Sequence, residues 1–305
     1  MYELTIIGGG PAGVSAGVYA GRKHLKTLFL TGSFGGQSTV SSGIENWIGE
    51  VNISGNDLAK RLEDHLRAYA GEFVDIKPFT FVKKVTKIEG GFSIETSNGN
   101  FESKTVLVAT GSSRKKITAK NADKFEHKGL TYCASCDGPL FKNKDLVVIG
   151  GGNSAFESAS QLLAYAKSVT ILHRREEFRA EEITVEKLKQ NPNLKIILNA
   201  EISEVVGEFM VTGLKYLDKK DNTEKEIKCD GIFVEIGAVP SIDFVSELVK
   251  TSENDTVAID PWNQRTSVEG IWAAGDCTNI LYHQNNIAAG DAVRALEDIY
   301  VYLKA

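Results

Sequence analysis

Apolar positions along this chain fall in short blocks, and glycine clusters punctuate them. Leu4 to Ile7 reads as a buried strand. Gly8-Gly9-Gly10 follows, then Ala12, Ser15, Ala16, Gly17 and Ala20, small residues that let a helix pack close to a sheet. Thr27 to Leu30 is a second strand of the same kind. The strand–turn–helix–strand order returns at Asp145, with Leu146 to Ile149, Gly150-Gly151-Gly152, a helix, and Val169 to Leu172. Between the repeats the pattern changes to alternation. Turn signals at Gly90-Gly91 and Asn98-Gly99 predict a β-meander that ends in a strand over Thr105 to Ala109. Beyond the second repeat, EKEIKCDGIFVEIG predicts a strand ending at Ile236-Gly237. GIWAAGD predicts a strand running into Gly275-Asp276 before a C-terminal helix. Linker-like stretches lie near Ser112 to Lys116 and Ala238 to Ser241.

The glycine spacing gives both repeats a chemistry. Gly8, Gly10 and Gly13 fit G-x-G-x-x-G, and Gly150, Gly152 and Ala155 fit its G-x-G-x-x-A form. Glycine lets the backbone approach a pyrophosphate, while the helix N-terminus supplies unpaired N–H groups and a positive dipole end. Each motif follows a strand and opens a helix, the context that separates a dinucleotide site from a glycine turn. In neither repeat does an acid end the second strand to hold a ribose. The first has Thr31-Gly32 there; the second has His173-Arg174-Arg175, with Arg179 a turn further on. Forked positive donors suit a 2′-phosphate, which favours NADP(H) over NAD(H). Neighbouring Glu176 and Glu177 leave open a solvated charge run. Two dinucleotide sites in one chain suggest a flavin and a nicotinamide nucleotide.

Composition narrows the remaining chemistry. The 305 residues suffice for two domains, and 42% hydrophobic content can fill two cores. A net charge of −5 offers no basic field for nucleic acid or a membrane surface. No run approaches the roughly 18 apolar residues of a membrane span. The block after Met1-Tyr2-Glu3 is too short for a signal-peptide core, so the expected compartment is the reducing cytosol. That matters for YCASCDGPLF, which places Cys133 and Cys136 with two residues between them. The pair reads as a metal clip, a structural staple or a redox dithiol. A structural zinc needs four ligands, yet the other cysteines, Cys229 and Cys277, are single, so no metal is expected. They read instead as buried packing residues. A persistent disulfide in a reducing compartment is usually catalytic, and C-x-x-C beside a βαβ unit is the redox signature.

The motifs in order are Gly8 to Gly13, TGSFGGQ at Thr31 to Gln37, ENW at Glu45 to Trp47, ATG at Ala109 to Gly111, YCASCDG, GGGNSA, HRREEFRA, EIG at Glu235 to Gly237, and AAGD at Ala273 to Asp276. With them the chain resembles the low-molecular-weight thioredoxin reductases over essentially its whole length. The resemblance implies an α/β fold of two Rossmann-like three-layer ββα dinucleotide-binding domains, the second inserted into the first. The FAD domain would comprise residues 1–114 and 239–305, and the NADPH domain, carrying the cysteine pair, residues 115–238. The resemblance further implies a homodimer and a rotation of the inserted domain, because the dithiol and NADPH must both reach the flavin.

Site residues carry over by motif. Gly8, Gly10, Pro11, Ala12 and Gly13 would face the FAD pyrophosphate. Thr31, Gly32, Gly36, Gln37 and Asn46 lie on the loop that wraps the cofactor, joined by Ala109, Thr110 and Gly111. Gly275 and Asp276 match the second flavin motif, and His283 and Gln284 stand where the family touches the isoalloxazine. Gly152, Asn153, Ser154 and Ala155 would cradle the nicotinamide nucleotide. His173, Arg174, Arg175 and Arg179 would hold its 2′-phosphate, and Ile236 and Gly237 would pack on it. By the same resemblance Cys136 is the thiol next to the flavin, Cys133 attacks the disulfide of thioredoxin or a thioredoxin-like protein, and Asp137 is the general acid. His283 departs from the family, which commonly has Arg there; a neutral imidazole brings less positive charge to the reduced cofactor. The chain is also similar to the flavoprotein components of bacterial alkyl hydroperoxide reductases, which tend to prefer NADH. A peroxiredoxin-linked or glutaredoxin-like acceptor and a flavin- and nucleotide-binding sensor without turnover are the competing readings.

Overall fold

A computed structural model describes residues 1–41 and 43–305. The chain forms two compact units, Met1–Ser113 with Val239–Ala305, and Arg114–Ala238. Each has a parallel sheet at its centre, and each is described by itself.

In the first unit the parallel strands run in the order Val74–Lys77, Thr27–Leu30, Tyr2–Ile7, Gly99–Val108, with Ile271–Ala273 beyond. Their short apolar runs follow from burial on both faces. Leu4 and Ile6 point to a core shared with helices Pro11–Arg22, Gly55–Ala70 and Asn285–Lys304, while Ile7, Val106 and Val108 point to the opposite core. Each such side chain stabilises the fold by about 1.5–3 kcal/mol relative to exposure. The predicted meander is present as Val82–Ile88, Gly91–Thr96 and the first half of Gly99–Val108. That last strand is longer than its predicted span because it pairs antiparallel in the meander and parallel in the central sheet. The unit is therefore three-layered: helices, parallel sheet, β-meander.

The second unit repeats the plan. Its parallel sheet runs Leu194–Ile197, Ser168–Leu172, Asp145–Gly150, Gly231–Glu235, Leu130–Thr131. Leu146 and Val148 face helices Asn153–Leu162 and Glu182–Lys189; Val147 and Ile149 face an antiparallel sheet of Ala200–Gly207, Val211–Asp218 and Thr223–Lys228. The single strand predicted over EKEIKCDGIFVEIG is two strands in different sheets. The chain turns at Cys229-Asp230, where the Asp230 N–H donates to the Asp145 carbonyl at 2.7 Å, and only then enters the parallel sheet. It leaves at Glu235, earlier than predicted, because Gly237 has φ +106°. Arg114 falls in this unit, its guanidinium 3.7 Å from Glu235. No described helix is long and apolar enough to cross a membrane.

Candidate functional site

The first glycine cluster shows three different constraints. A Cβ on Gly8 would lie 2.1 Å from the Ala109 carbonyl oxygen, and one on Gly13 would lie 1.8 Å from that of Gly8. These two glycines let the turn and the helix close on the sheet. Gly10 is different: its Cβ would meet nothing nearer than the Gly36 Cα at 3.9 Å. The open side of Gly10, at the N-terminus of Pro11–Arg22 that no side chain caps, leaves backbone N–H groups of the kind that bind a pyrophosphate. The loop after Thr31 closes round it, with the Gly35 N–H donating to the Gly9 carbonyl at 2.8 Å. Gly275, with φ +79°, lies against Ala12 and brings Asp276 to the same helix end.

A Cβ on Gly32 would be 2.4 Å from the ring of Phe81, so a side chain there requires that exposed ring to shift. Asn46 and Gln284, far apart in sequence, hydrogen-bond at 3.1 Å. Two residues beyond the sequence reading join them: Asn285 accepts from Ser38 at 3.1 Å, and Asn286 donates to the Asn46 carbonyl at 2.7 Å. The run Gln284-Asn285-Asn286 at a helix start was the available signal. His283 Nδ1 stands 4.0 Å from the Asp276 carboxylate, and its Nε2 faces the Ile280 carbonyl at 3.1 Å. The Thr110 hydroxyl donates to the Ser241 carbonyl at 2.6 Å, and Gly111 turns with φ +65°.

The second unit builds the same cradle. A Cβ on Gly150 would sit 2.3 Å from the Glu235 carbonyl oxygen, whereas one on Gly152 would meet nothing within 4 Å. Gly152 opens helix Asn153–Leu162 without a side-chain cap, leaving its first N–H groups toward that open side. Asn153 and Ser154 are exposed there and Ala155 is buried. The arginine loop is tied to the glycine loop by the Arg179 N–H, which donates to the Gly151 carbonyl at 2.8 Å. Arg174, Arg175 and Arg179 are exposed, and among the described residues none makes an ion pair. Arg175, Glu176, Glu177, Phe178 and Arg179 line an open cavity of about 320 Å³.

His173 differs from its expected role. Its ring is buried against Gly151, where a Cβ would be 2.3 Å away, and its Nε2 faces the Glu177 carbonyl at 3.0 Å. Burial, and then the three neighbouring guanidinium groups, hold its pKa below the ordinary value. A neutral buried ring orders the loop, and the guanidinium groups are what it presents. Ile236 is partly exposed beside Gly237 at the end of the Gly231–Glu235 strand.

The cysteine pair occupies one helical turn, Ala134–Asp137, with Cys133 as its N-cap. Cys133 and Cys136 form a disulfide, and the Cys136 N–H also points to the Cys133 sulfur at 3.2 Å. Both are half-buried, reachable from solvent yet fixed. Asp137 closes the turn, its N–H donating to the Cys133 carbonyl at 3.0 Å, and its carboxylate accepts a hydrogen bond from the Thr131 hydroxyl. Cys229 and Cys277 are free and buried, and burial pushes their pKa values up to about 12 and about 11, so neither is a ready nucleophile.

The model of the pyridine nucleotide-disulphide oxidoreductases matches residues 2–292. The chain belongs to this family. Members are oxidoreductase flavoproteins, and a disulfide between two nearby cysteines agrees with that membership. The chain of this oxidoreductase is 36% identical over 303 residues to a Bacillus subtilis protein named NADH dehydrogenase. It is equally 36% identical, over 305 residues, to a Staphylococcus epidermidis protein named as a component of alkyl hydroperoxide reductase. Both matches take 99% of this chain but only 58% and 59% of the relatives, so it spans little more than half their length. Solved structures match whole. The thioredoxin reductase from Streptococcus pyogenes superposes with a TM-score of 0.91 at 32% identity, covering 100% of this chain and 98% of that one. The one from Giardia duodenalis gives 0.93 at 29% identity, covering 100% and 99%. The oxidoreductase thus has the two-domain Rossmann-like fold of low-molecular-weight thioredoxin reductases.

Proposed function

We propose that this oxidoreductase passes electrons from NADPH through FAD to the Cys133–Cys136 pair and on to the disulfide of thioredoxin or a thioredoxin-like protein. The observation that carries the reading is the half-buried disulfide held in a single turn, in the unit that also bears an open nucleotide cradle and three unpaired guanidinium groups. The first unit, with Gly10, Asp276, Asn46 and Gln284, would hold FAD; the second, with Gly152, Arg174, Arg175 and Arg179, would hold NADPH. When bound, the two nucleotides supply hydride and two-electron chemistry. The residues of the chain do the rest. The disulfide accepts two electrons and two protons to become a dithiol. The Cys133 thiolate attacks one sulfur of the partner disulfide, forming a mixed disulfide and releasing the first partner thiolate. Asp137, closing the turn that holds both cysteines, would return to this leaving group the proton that it took from Cys133. Cys136 then attacks the Cys133 sulfur, re-forming the disulfide and releasing the second partner sulfur as a thiol. The partner is reduced by two electrons and the pair is back in its starting state.

Peroxiredoxin-linked reduction is the second reading, favoured by the likeness to the Staphylococcus epidermidis alkyl hydroperoxide reductase component. The name of the Bacillus subtilis relative favours NADH, while the unpaired arginines favour NADPH. A steady-state assay with NADPH and NADH in parallel, using thioredoxin from the same source, decides among them. NADPH-dependent reduction of thioredoxin is expected. Flavin that bleaches with NADPH and does not recover on adding oxidised thioredoxin would overturn the choice of partner. Light scattering of the FAD-loaded protein tests the proposed homodimer.

A further inference from the structure

We propose that Thr131 is a positioning residue that aims the Asp137 carboxyl for its proton transfer at the dithiol. The proposal rests on the reading of Asp137 given under Proposed function. Thr131 is on the short strand Leu130–Thr131, held in the parallel sheet by pairing with Gly231–Glu235, where it stands opposite Phe233. It is 7% exposed. Threonine has a stiff χ1, so the strand dictates where its hydroxyl points. That hydroxyl donates to Asp137 Oδ2. The Asp137 main chain is bound separately, through its N–H, to the Cys133 carbonyl at 3.0 Å. Among the described contacts, its backbone is thus held by the redox turn and its carboxyl by Thr131 on the sheet.

A hydroxyl is the right chemistry for this task. It donates to a carboxylate, and after Asp137 gains a proton it can rotate and accept from the carboxylic acid. The position of Asp137 therefore survives both halves of a proton-transfer cycle. A backbone amide in its place could donate to either form but could not accept from the acid O–H. Because a donor favours the charged carboxylate, removing it should also make Asp137 harder to ionise.

The test compares Thr131→Val, which keeps the shape and deletes the hydroxyl, with Thr131→Ser, which keeps the hydroxyl. The NADPH-reduced, FAD-loaded enzyme is mixed with oxidised thioredoxin, and the single-turnover rate is followed from about pH 5 to 9. Thr131→Val should slow the reaction roughly three- to tenfold at neutral pH, the worth of one ordinary hydrogen bond. Its pH profile should move to higher pH, and KM for thioredoxin should stay as in the unmodified chain. Thr131→Ser should stay within about twofold of it on the same scale. In an Asp137→Asn background, Thr131→Val should have no further effect. A second arm measures the pH dependence of iodoacetamide alkylation of the reduced pair. It needs no protein partner, so it reads the coupling even if thioredoxin is not the acceptor. Thr131→Val should shift that profile and Thr131→Ser should not. An unshifted profile in both arms, equal damage from Val and Ser, or additivity with Asp137→Asn would each overturn the proposal. If the valine variant fails to fold, Thr131→Ala, which removes the hydroxyl without filling its place, is read by the same criteria.

Discussion

Alanine at Gly152 separates the cradle from the scaffold. Gly152 has φ −101° and ψ −179°, an extended conformation open to any residue, and its new methyl group would meet nothing within 4 Å. Folding stability should therefore stay within about 1 kcal/mol of the unmodified chain. Binding is another matter, because the methyl group would occupy the space against which a pyrophosphate lies. Losing two charge-assisted bonds to backbone N–H groups, each worth about 1.5–3 kcal/mol, predicts at least ~3 kcal/mol of lost affinity. That is about a hundredfold in Kd. Gly150→Ala is the control with the opposite expectation. Its methyl group would lie 2.3 Å from the Glu235 carbonyl oxygen and 2.9 Å from the Ala155 Cβ, both set by backbone, so it should cost about 1–3 kcal/mol or more of stability. Urea unfolding reads the stabilities, and calorimetric titration with NADP⁺ reads the affinity. If Gly152→Ala binds NADP⁺ as the unmodified chain does, the pyrophosphate does not lie on Gly152 and the reasoning fails.

Other outcomes follow from the same geometry. Replacing Arg174, Arg175 and Arg179 together by alanine should raise KM for NADPH at least about tenfold and leave KM for NADH within about twofold, since only the 2′-phosphate is lost; parallel kinetics with the two nucleotides check this. Glu235 is buried, and burial first of all raises its pKa above the ordinary 4.5, with Arg114 and Ser158 opposing. The folded chain then binds this proton more tightly than the unfolded one, so the contribution of Glu235 to stability falls as pH rises from 4.5 through the raised value and is flat above it. Glu235→Gln should remove that slope; a urea-midpoint difference between Glu235→Gln and the unmodified chain that does not change across the range would refute it. His283→Arg adds a positive charge beside Asp276 and should raise the flavin reduction potential, measured by dye equilibration; an unchanged potential would count against His283 facing the flavin.

The cradles and the dithiol were legible because each is made by consecutive residues. A strand, a glycine turn and a helix need only a few neighbouring dihedrals, and Cys133 and Cys136 meet whenever one helical turn forms between them. The break at Cys229-Asp230 was read through, although the charged Thr223–Lys228 strand gives way there to the buried Gly231–Glu235 strand; their different sheet partners are what separate them. His173 looked like a ligand by its place in HRREEF. Its burial follows from how closely its loop approaches Gly151, which no periodicity in the chain announces.

By itself, then, the chain determined two glycine-turn cradles, a basic segment after the second, and a redox-type cysteine pair, all from short-range order. Tertiary structure alone decided which side chains serve them. Phe81 lies over Gly32, and Asn46 meets Gln284 across a separation of 238 residues. The physical reason is range. Local motifs are encoded in the torsions of adjacent residues, whereas these contacts exist only once distant strands and helices have packed into layers.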